Sequence, residues 1–118
     1  MFSAVGSVYA ANGEKVSVKI KSNQSSATST KSIWNCQGYL ELEGKNKSTS
    51  KNSLYVQCYE QINWRPDRKE REFLLSKGQE GSVRWKLNAY NEGGAYYIKL
   101  NPKGPMKKEC NGSGTLYD

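Results

Sequence analysis

The chain has 118 residues and a mass of 13.3 kDa, the size of one ordinary domain with a single core. Its 18 lysines and arginines outnumber 11 acidic residues, and the formal net charge of +7 favours an anionic environment or partner. The longest apolar run is too short to cross a bilayer, and the lack of histidine excludes a Ser-His or Cys-His nucleophilic pair.

The composition is rich in Ser, Thr, Asn, Gly and Tyr, which is typical of an exported protein. Met1 is followed directly by a strand-like segment, without the basic and apolar regions that a secretory signal requires. We therefore expect residues 1–118 to form a single β domain of a mature, secreted chain, with Met1 as an added start. Asn23, Asn46 and Asn111 match the acceptor pattern for N-glycosylation, a match that loops rich in Asn and Ser make by chance.

The N-terminal stretch predicts a tight hairpin. Asn12-Gly13 tolerates the positive φ angles of a two-residue type I′ turn, and it separates strand-like residues 2–11 from residues 14–22. In the second of these strands, apolar residues alternate with lysines and a serine, which predicts a half-buried strand with a basic outer face. The expected inward residues are Val16, Val18 and Ile20.

Residues 33–43 and 54–59 predict two further half-buried strands, because their side chains alternate between an apolar and a polar face. The polar segments 23–32 and 44–53 predict loops, since they offer almost nothing to a core. The expected inward residues are Trp34, Cys36, Gly38, Leu40, Leu42, Leu54, Val56 and Cys58.

Three cysteines cannot all pair within one chain. Cys36 and Cys58 are predicted on the inward faces of successive strands, so we expect a disulfide between them, which stabilises the fold by about 3 kcal/mol in the entropic model. Cys110 lies in a polar run and is expected to be exposed and unpaired. Its pairing with Cys58 or Cys36 stays open as an alternative.

The second half of the chain predicts more strands of the same kind. Pro66 predicts a protruding loop, and the apolar residues 73–75 after it predict a strand. Residues 82–88 and 95–100 both alternate, and we expect these two segments to pair as an antiparallel hairpin.

The C-terminal region is expected to turn from Asn101 to Pro105 and to end in a short strand at residues 115–117. The whole pattern comprises seven or eight short strands, with turn signals about every ten residues and no amphipathic helix. This predicts an all-β, single-domain antiparallel β-sandwich, with a small closed β-barrel as the alternative.

Aromatic residues next to cations point to a binding site. In the predicted hairpin, Arg84 and Lys86 would lie beside Tyr97 and Lys99, because cross-strand neighbours are about 5 Å apart. Aromatic rings stack on sugars or bases and cations attract anionic groups, so the arrangement suits a glycan or polyanion. The candidate binding residues are Trp64, Arg65, Arg68, Arg84, Lys86, Tyr90, Tyr97 and Lys99.

The leading hypothesis is a small secreted, non-enzymatic β-sandwich protein, without a cofactor or metal, that binds an anionic polymer, a glycan or a protein at a cell surface. A barrel that binds single-stranded nucleic acid is an alternative, which is disfavoured because the chain has only four arginines and few aromatics expected to be exposed. A secreted toxin or inhibitor also fits the size and charge.

Catalysis has one sequence feature in its favour. The carboxylates of Glu41 and Glu43 share a strand face about 6.5 Å apart, a separation that glycosidases use. Paired glutamates are also common on plain strand surfaces, so the sequence favours a protein that is not an enzyme.

Overall fold

The computed structural model describes residues 14–88, 93–104 and 108–118. These residues form nine β-strands and contain no helix, so the all-β prediction is confirmed. There are more strands than the predicted seven or eight, because the predicted strand 33–43 is divided in two and a two-residue strand lies in the predicted loop 23–32. The strands are β1 Lys15–Ile20, β2 Ala27–Thr28, β3 Ile33–Cys36, β4 Tyr39–Asn46, β5 Ser53–Gln61, β6 Arg68–Leu75, β7 Glu80–Lys86, β8 Gly94–Lys103 and β9 Gly112–Tyr117.

The strands form two antiparallel sheets that pack face to face as a β-sandwich. Sheet A has the order β1-β9-β4-β7, and sheet B has the order β2-β8-β5-β6 with β3 also paired to β8. The pairs are nested along the chain, since β1 meets β9, β2 and β3 meet β8, β4 meets β7, and β5 meets β6. This nesting is the topology of a jelly roll, and the sandwich rather than the barrel is therefore the fold.

The core lies between the two sheets, and it follows the alternation of apolar residues in the sequence. Leu42 and Leu116 of sheet A face Val56 and Ile98 of sheet B, and all four are fully buried. The predicted inward residues of β1, β5 and β7 are likewise buried or half-buried, while the lysines and arginines that alternate with them in β1 and β7 are exposed. Burial of these side chains supplies most of the driving force for folding.

A row of glycines on the inner face of sheet A brings the two sheets close together. Gly44 of β4 lies opposite Gly81 of β7 and Gly114 of β9. A Cβ on Gly44 would lie 2.5 Å from Val56 Cγ2, so the row leaves room only for the side chains of sheet B. Residues that lie side by side on one face of a sheet form a ladder row. Two such rows further along β4 and β7, Leu40 lies opposite Trp85. The space between the two sheets is therefore narrow at the glycines and wide at the tryptophan.

The predicted continuous strand 33–43 is wrong, because the chain changes sheet at its middle. β3 pairs with β8 in sheet B, whereas β4 lies between β9 and β7 in sheet A. The change occurs where Asn35 and Gly38 adopt positive φ angles of 57° and 73°, a conformation that Asn and Gly adopt more readily than other residues. Trp34 consequently has 61% of its surface exposed instead of lying in the core.

The predicted hairpin of segments 82–88 and 95–100 is also wrong. β7 pairs with β4 in sheet A, and β8 pairs with β5 in sheet B. The chain crosses from one sheet to the other between Lys86 and Gly94, so Arg84 and Lys86 lie on the outer face of one sheet while Tyr97 and Lys99 lie on the outer face of the other. These four residues do not form one surface.

The predictions for the two ends of the chain are confirmed only in part. Residues 2–13, with the first strand and turn of the predicted N-terminal hairpin, lie outside the described residues, and β1 pairs with β9. The predicted start of a turn at Asn101 is wrong, because β8 continues through Pro102, which pairs with Leu54. The predicted C-terminal strand is confirmed, and β9 is longer than expected and occupies the interior of sheet A.

The predicted disulfide between Cys36 and Cys58 is absent, and both residues are free thiols. Cys36 pairs with Gly94 on one side of β8, and Cys58 pairs with Ile98 on the other side. The two cysteines are therefore separated by two interstrand spacings, at least about 9.6 Å, which exceeds the limit of about 7 Å between the Cα atoms of a disulfide.

Cys110 is also a free thiol, and it is fully buried rather than exposed. Its Sγ donates a hydrogen bond to the carbonyl oxygen of Asn52, at 3.2 Å. This places it at the start of β5, about 16 Å or more along the strand from Cys58, so the alternative pairing with Cys58 is also excluded in this fold. Burial raises the pKa of all three thiols, that of Cys36 to about 12.

Candidate functional site

The outer face of sheet B brings together aromatic residues that lie far apart in the sequence. Tyr59 of β5 lies directly opposite Tyr97 of β8, and the two rings stack with their centroids 5.7 Å apart and their planes 14° from parallel. Tyr55 lies four residues before Tyr59 and points to the same side. We call this surface the aromatic face, and it consists of Trp34, Tyr55, Tyr59 and Tyr97 together with Lys99.

Trp34 belongs to the aromatic face because of the pairing of β3. Ile33 lies opposite Tyr96, and both side chains are buried between the sheets. The next residue along a strand points to the opposite side, so Trp34 points outward, one ladder row from Tyr97. Diagonal neighbours on adjacent strands are about 7–8 Å apart, within reach of aromatic side chains.

The loop between β5 and β6 is attached to the aromatic face by Asp67. One oxygen of this carboxylate accepts a hydrogen bond from the backbone N–H of Ile62 at 3.0 Å, and the other accepts one from the hydroxyl of Tyr97 at 2.6 Å. These two bonds lower the pKa of Asp67, while burial and the neighbouring Asp67 raise the pKa of Tyr97. The loop that carries Trp64 is therefore held beside the stacked tyrosines.

Trp64 itself is in an unusual state for a large apolar residue. Its side chain is fully exposed, and its φ angle is 70°. A positive φ costs a residue of this size about 1–3 kcal/mol, and exposure of the indole forgoes about 2–3 kcal/mol of burial. A strained backbone together with a fully exposed apolar side chain is characteristic of a residue in a binding site.

A network of polar side chains fixes the middle of sheet B. Asn101 donates to the amide oxygen of Gln57, whose nitrogen donates to Glu72 at 2.7 Å. Lys69 donates to the same carboxylate oxygen at 2.9 Å. Burial alone would raise the pKa of Glu72, but the bonds from Gln57 and Lys69 lower it overall. The carboxylate therefore stays ionised and is satisfied within the protein.

Lys99 lies directly opposite Gln57 of this network, next to the stacked pair of Tyr59 and Tyr97. Its Nζ lies 5.8 Å from the centre of the Tyr59 ring, a cation–π contact. None of the ion pairs between described residues includes Lys99. The aromatic face therefore has a positive charge near its centre.

The structure separates the residues that the sequence proposed as one site. Tyr97 and Lys99 lie on the aromatic face, and Trp64 and Arg65 are exposed on the loop beside it. Arg68 forms ion pairs with Glu60 and Glu70 instead of projecting freely.

Three other proposed residues do not belong to the aromatic face or cannot be placed. Arg84 and Lys86 lie on the outer face of sheet A, where the Arg84 guanidinium stacks 4.2 Å from the ring centre of Tyr39. Tyr90 lies outside the described residues.

Sequence reasoning missed two important members of the aromatic face. The alternation put Tyr59 on the polar side of its strand correctly, but only the pairing of β5 with β8 shows that it meets Tyr97. Trp34 was expected in the core, and the one signal against this was Asn-Cys-Gln-Gly directly after it, where Asn and Gly allow the chain to turn.

The outer face of sheet A contains the Glu41 and Glu43 pair. Only 8% of Glu41 is exposed, and burial, a hydrogen bond with Glu43 and the charge of Glu43 raise the pKa of Glu41. The hydroxyl of Tyr117 donates to Glu43 at 3.1 Å. A shallow, open groove of about 330 Å³ runs past Glu43, and nothing in it encloses a substrate around the two carboxylates.

Replacement of Glu41 by glutamine is expected to stabilise the protein at neutral pH. Because the pKa of Glu41 is higher in the folded state, its protonated form favours folding, and this contribution is lost as the pH rises from 4.5 through the folded pKa. Glu41→Gln keeps a neutral side chain at every pH, so thermal unfolding at pH 7 should occur a few degrees higher than in the wild type. At pH 3.5 the two proteins should unfold at the same temperature.

Glu80→Gln is the matched control, since Glu80 is an exposed carboxylate of the same groove. At pH 7 it should unfold at the same temperature as the wild type. A Glu41→Gln protein that loses stability between pH 4.5 and 7 as steeply as the wild type would contradict the assignment.

Within the described ranges, no three His, Cys, Asp or Glu side chains are grouped in a way that could hold a metal ion. Nor do these residues include a helix with the length and apolar character needed to cross a membrane.

No family model and no curated protein matches the chain. Among solved structures, it is similar to the cowpea mosaic virus top component, described as naturally occurring empty particles, with 9% sequence identity and a TM-score of 0.43. The match covers 89% of this chain and 75% of that chain. At this distance the likeness bears on neither function nor partners.

Proposed function

We propose that this protein is a non-enzymatic binding module that works outside the cell and binds a glycan chain on the aromatic face. The observation that supports this most directly is the position of Trp34, Tyr59 and Tyr97 on one surface. The rings of sugars present C–H groups that pack on aromatic rings, while their hydroxyl groups need polar partners beside those rings. Asn101 and Lys99, which are both half-buried, supply such partners.

The position of the site on the outer surface of a β-sheet favours a polymer over a small ligand. Small molecules are usually bound in concave pockets that cover most of their surface. A chain of sugars can instead gain affinity from several modest contacts spread along the sheet. The aromatic face offers them over four ladder rows, from Tyr55 to Trp34.

The hydrogen bonds of the face reduce the cost of binding. Gln57 is fixed by Asn101 and Glu72, and Tyr97 is fixed by Asp67 and by stacking on Tyr59. Side chains that are already ordered lose little rotamer freedom when a ligand arrives. This supports a site that is formed before the glycan binds.

A binding role without catalysis is supported by the state of the nearby carboxylates. Glu72 and Asp67 both accept hydrogen bonds from the protein, and both have lowered pKa values. A carboxylate that stays ionised is a poor general acid for cleavage of a glycosidic bond.

The extracellular location rests on composition, because the disulfide that favoured it is absent. The three thiols do not argue against that location. All are buried with raised pKa values, and a thiol that does not ionise reacts slowly with oxidants.

The test is binding of the whole protein to immobilised polysaccharides, namely cellulose, chitin, xylan, polygalacturonate and heparin. We expect Kd for the polymer that binds most tightly to rise about tenfold in Trp34→Ala, because an exposed aromatic contact of this kind contributes about 1.4 kcal/mol. Tyr39→Ala is the matched control, since Tyr39 is an exposed aromatic residue on the opposite sheet, and it should bind as the wild type does.

Three results would overturn the proposal. The first is that no polymer of the panel binds. The second is that Tyr39→Ala weakens binding as much as Trp34→Ala. The third is that a single-stranded oligonucleotide binds more tightly than every polysaccharide and depends on Trp34, because the protein would then belong to a different functional class.

A further inference from the structure

We propose that the glycan bound by the aromatic face carries anionic groups, and that Lys99 binds them. This inference rests on the proposed function, and it names the class of sugar polymer that the site takes. The anionic group is a carboxylate, as in uronic acids, or a sulfate ester, since both present oxygens that accept charge-assisted hydrogen bonds from an ammonium group.

The position of Lys99 is central to the argument. In its ladder row it has Thr28 of β2 on one side and Gln57 of β5 on the other. Its Nζ contacts the ring of Tyr59, in the next row, where Tyr59 stacks on Tyr97. A sugar that stacked on these tyrosines would therefore bring its substituents within reach of the ammonium group and of the polar side chains beside it.

Among the residues that the structure describes, no acid forms an ion pair with Lys99. In its row, the carboxylate of Glu72 is separated from Lys99 by Gln57, because Glu72 belongs to β6. Glu72 already accepts hydrogen bonds from Gln57 and from Lys69. The row thus contains one carboxylate, and that carboxylate is paired with a different lysine.

Comparison of Lys99 with Lys69, which lies on the neighbouring strand β6, supports this point. Lys69 has a carboxylate at 2.9 Å, and its pKa is raised by the hydrogen bond with Glu72, so its charge is used within the protein. Lys99 is half-buried beside an aromatic ring, where water screens charge less than at an open surface. An anion that arrives there gains more than it would from an exposed lysine.

The experiment compares polymers that share a backbone and differ in charge. Polygalacturonate is paired with its fully methyl-esterified form, and dextran sulfate is paired with dextran. We expect the wild type to bind at least one anionic polymer about tenfold more tightly than its neutral partner. The first pair reports on carboxylates and the second on sulfates.

Lys99→Met keeps most of the aliphatic stem of the side chain and removes the charge. It should lose most of the preference for the anionic polymer while it remains folded. Lys86→Met is the matched control, because it makes the same change in net charge on the opposite sheet, where Lys86 is exposed. It should keep the preference.

The outcomes separate the two proposals. Equal binding of charged and neutral polymers, with dependence on Trp34, would overturn this inference and leave the proposed function standing. A preference lost equally in Lys86→Met and Lys99→Met would also overturn it, because net charge alone would then explain the preference. Failure of these four polymers to bind, while a neutral polymer of the first panel binds, would overturn this inference alone. Failure of every polymer in both experiments would overturn the proposed function itself.

Discussion

Replacement of Gly112 by alanine is expected to lower the free energy of unfolding by about 3 kcal/mol. A Cβ at this position would overlap the backbone carbonyl oxygen of Lys45 and would lie 2.9 Å from Leu54 Cδ2. A side chain can rotate away from such an overlap, but the carbonyl belongs to the ladder between β9 and β4. The variant must therefore separate two central strands of sheet A or distort them, and urea unfolding measures the loss.

Ser113→Ala is the control for this substitution. Ser113 is the next residue of β9 and points outward from sheet A, where it is half-buried. Its truncation should change the free energy of unfolding by less than about 0.5 kcal/mol. Unfolding of Gly112→Ala at the same urea concentration as the wild type would show that β9 does not approach β4 as closely as described.

Replacement of Asn46 by alanine is expected to lower the free energy of unfolding by about 2–3 kcal/mol. Asn46 is fully buried, and its side-chain nitrogen donates to the carbonyl oxygens of Asn52 and Leu75, each at 3.0 Å. Truncation leaves both carbonyls without this donor. It also removes the link between the end of β4, the loop before β5 and the end of β6.

Asn23→Ala is the matched control, because Asn23 is exposed and also matches the glycosylation pattern. It should unfold with the wild type, and an equal loss in both variants would contradict the role of Asn46. The same burial implies that Asn46 is not a glycan acceptor in the folded protein, since its amide nitrogen is already bound.

Local alternation predicted which side chains enter the core, and it failed where the chain leaves a straight strand. β1, β5, β7 and β8 bury the residues that the sequence indicated, because a strand with one apolar face has one stable orientation. The segment 33–43 has the same alternation, yet the positive φ angles of Asn35 and Gly38 turn it into the second sheet. The alternation of apolar and polar residues contains no sign of such a turn.

The pairing of strands was the second feature that the sequence did not predict. Two neighbouring alternating segments such as β7 and β8 suggest a hairpin, but in a jelly roll they belong to different sheets, and their true partners β4 and β5 lie about 40 residues away in the sequence. The prediction of the candidate site required these strand partners. Tyr97 and Lys99 were predicted as binding residues, whereas the contribution of Tyr59 and Trp34 follows only from the pairing of β8.

The central position of β9 makes sheet A depend on contacts between distant parts of the chain. Residues 112–117 lie between β1 and β4, and Tyr117 pairs with Lys15, about a hundred residues earlier in the sequence. Sheet A cannot close until these distant segments have met. Contacts of such long range place the rate of folding among the slower single domains.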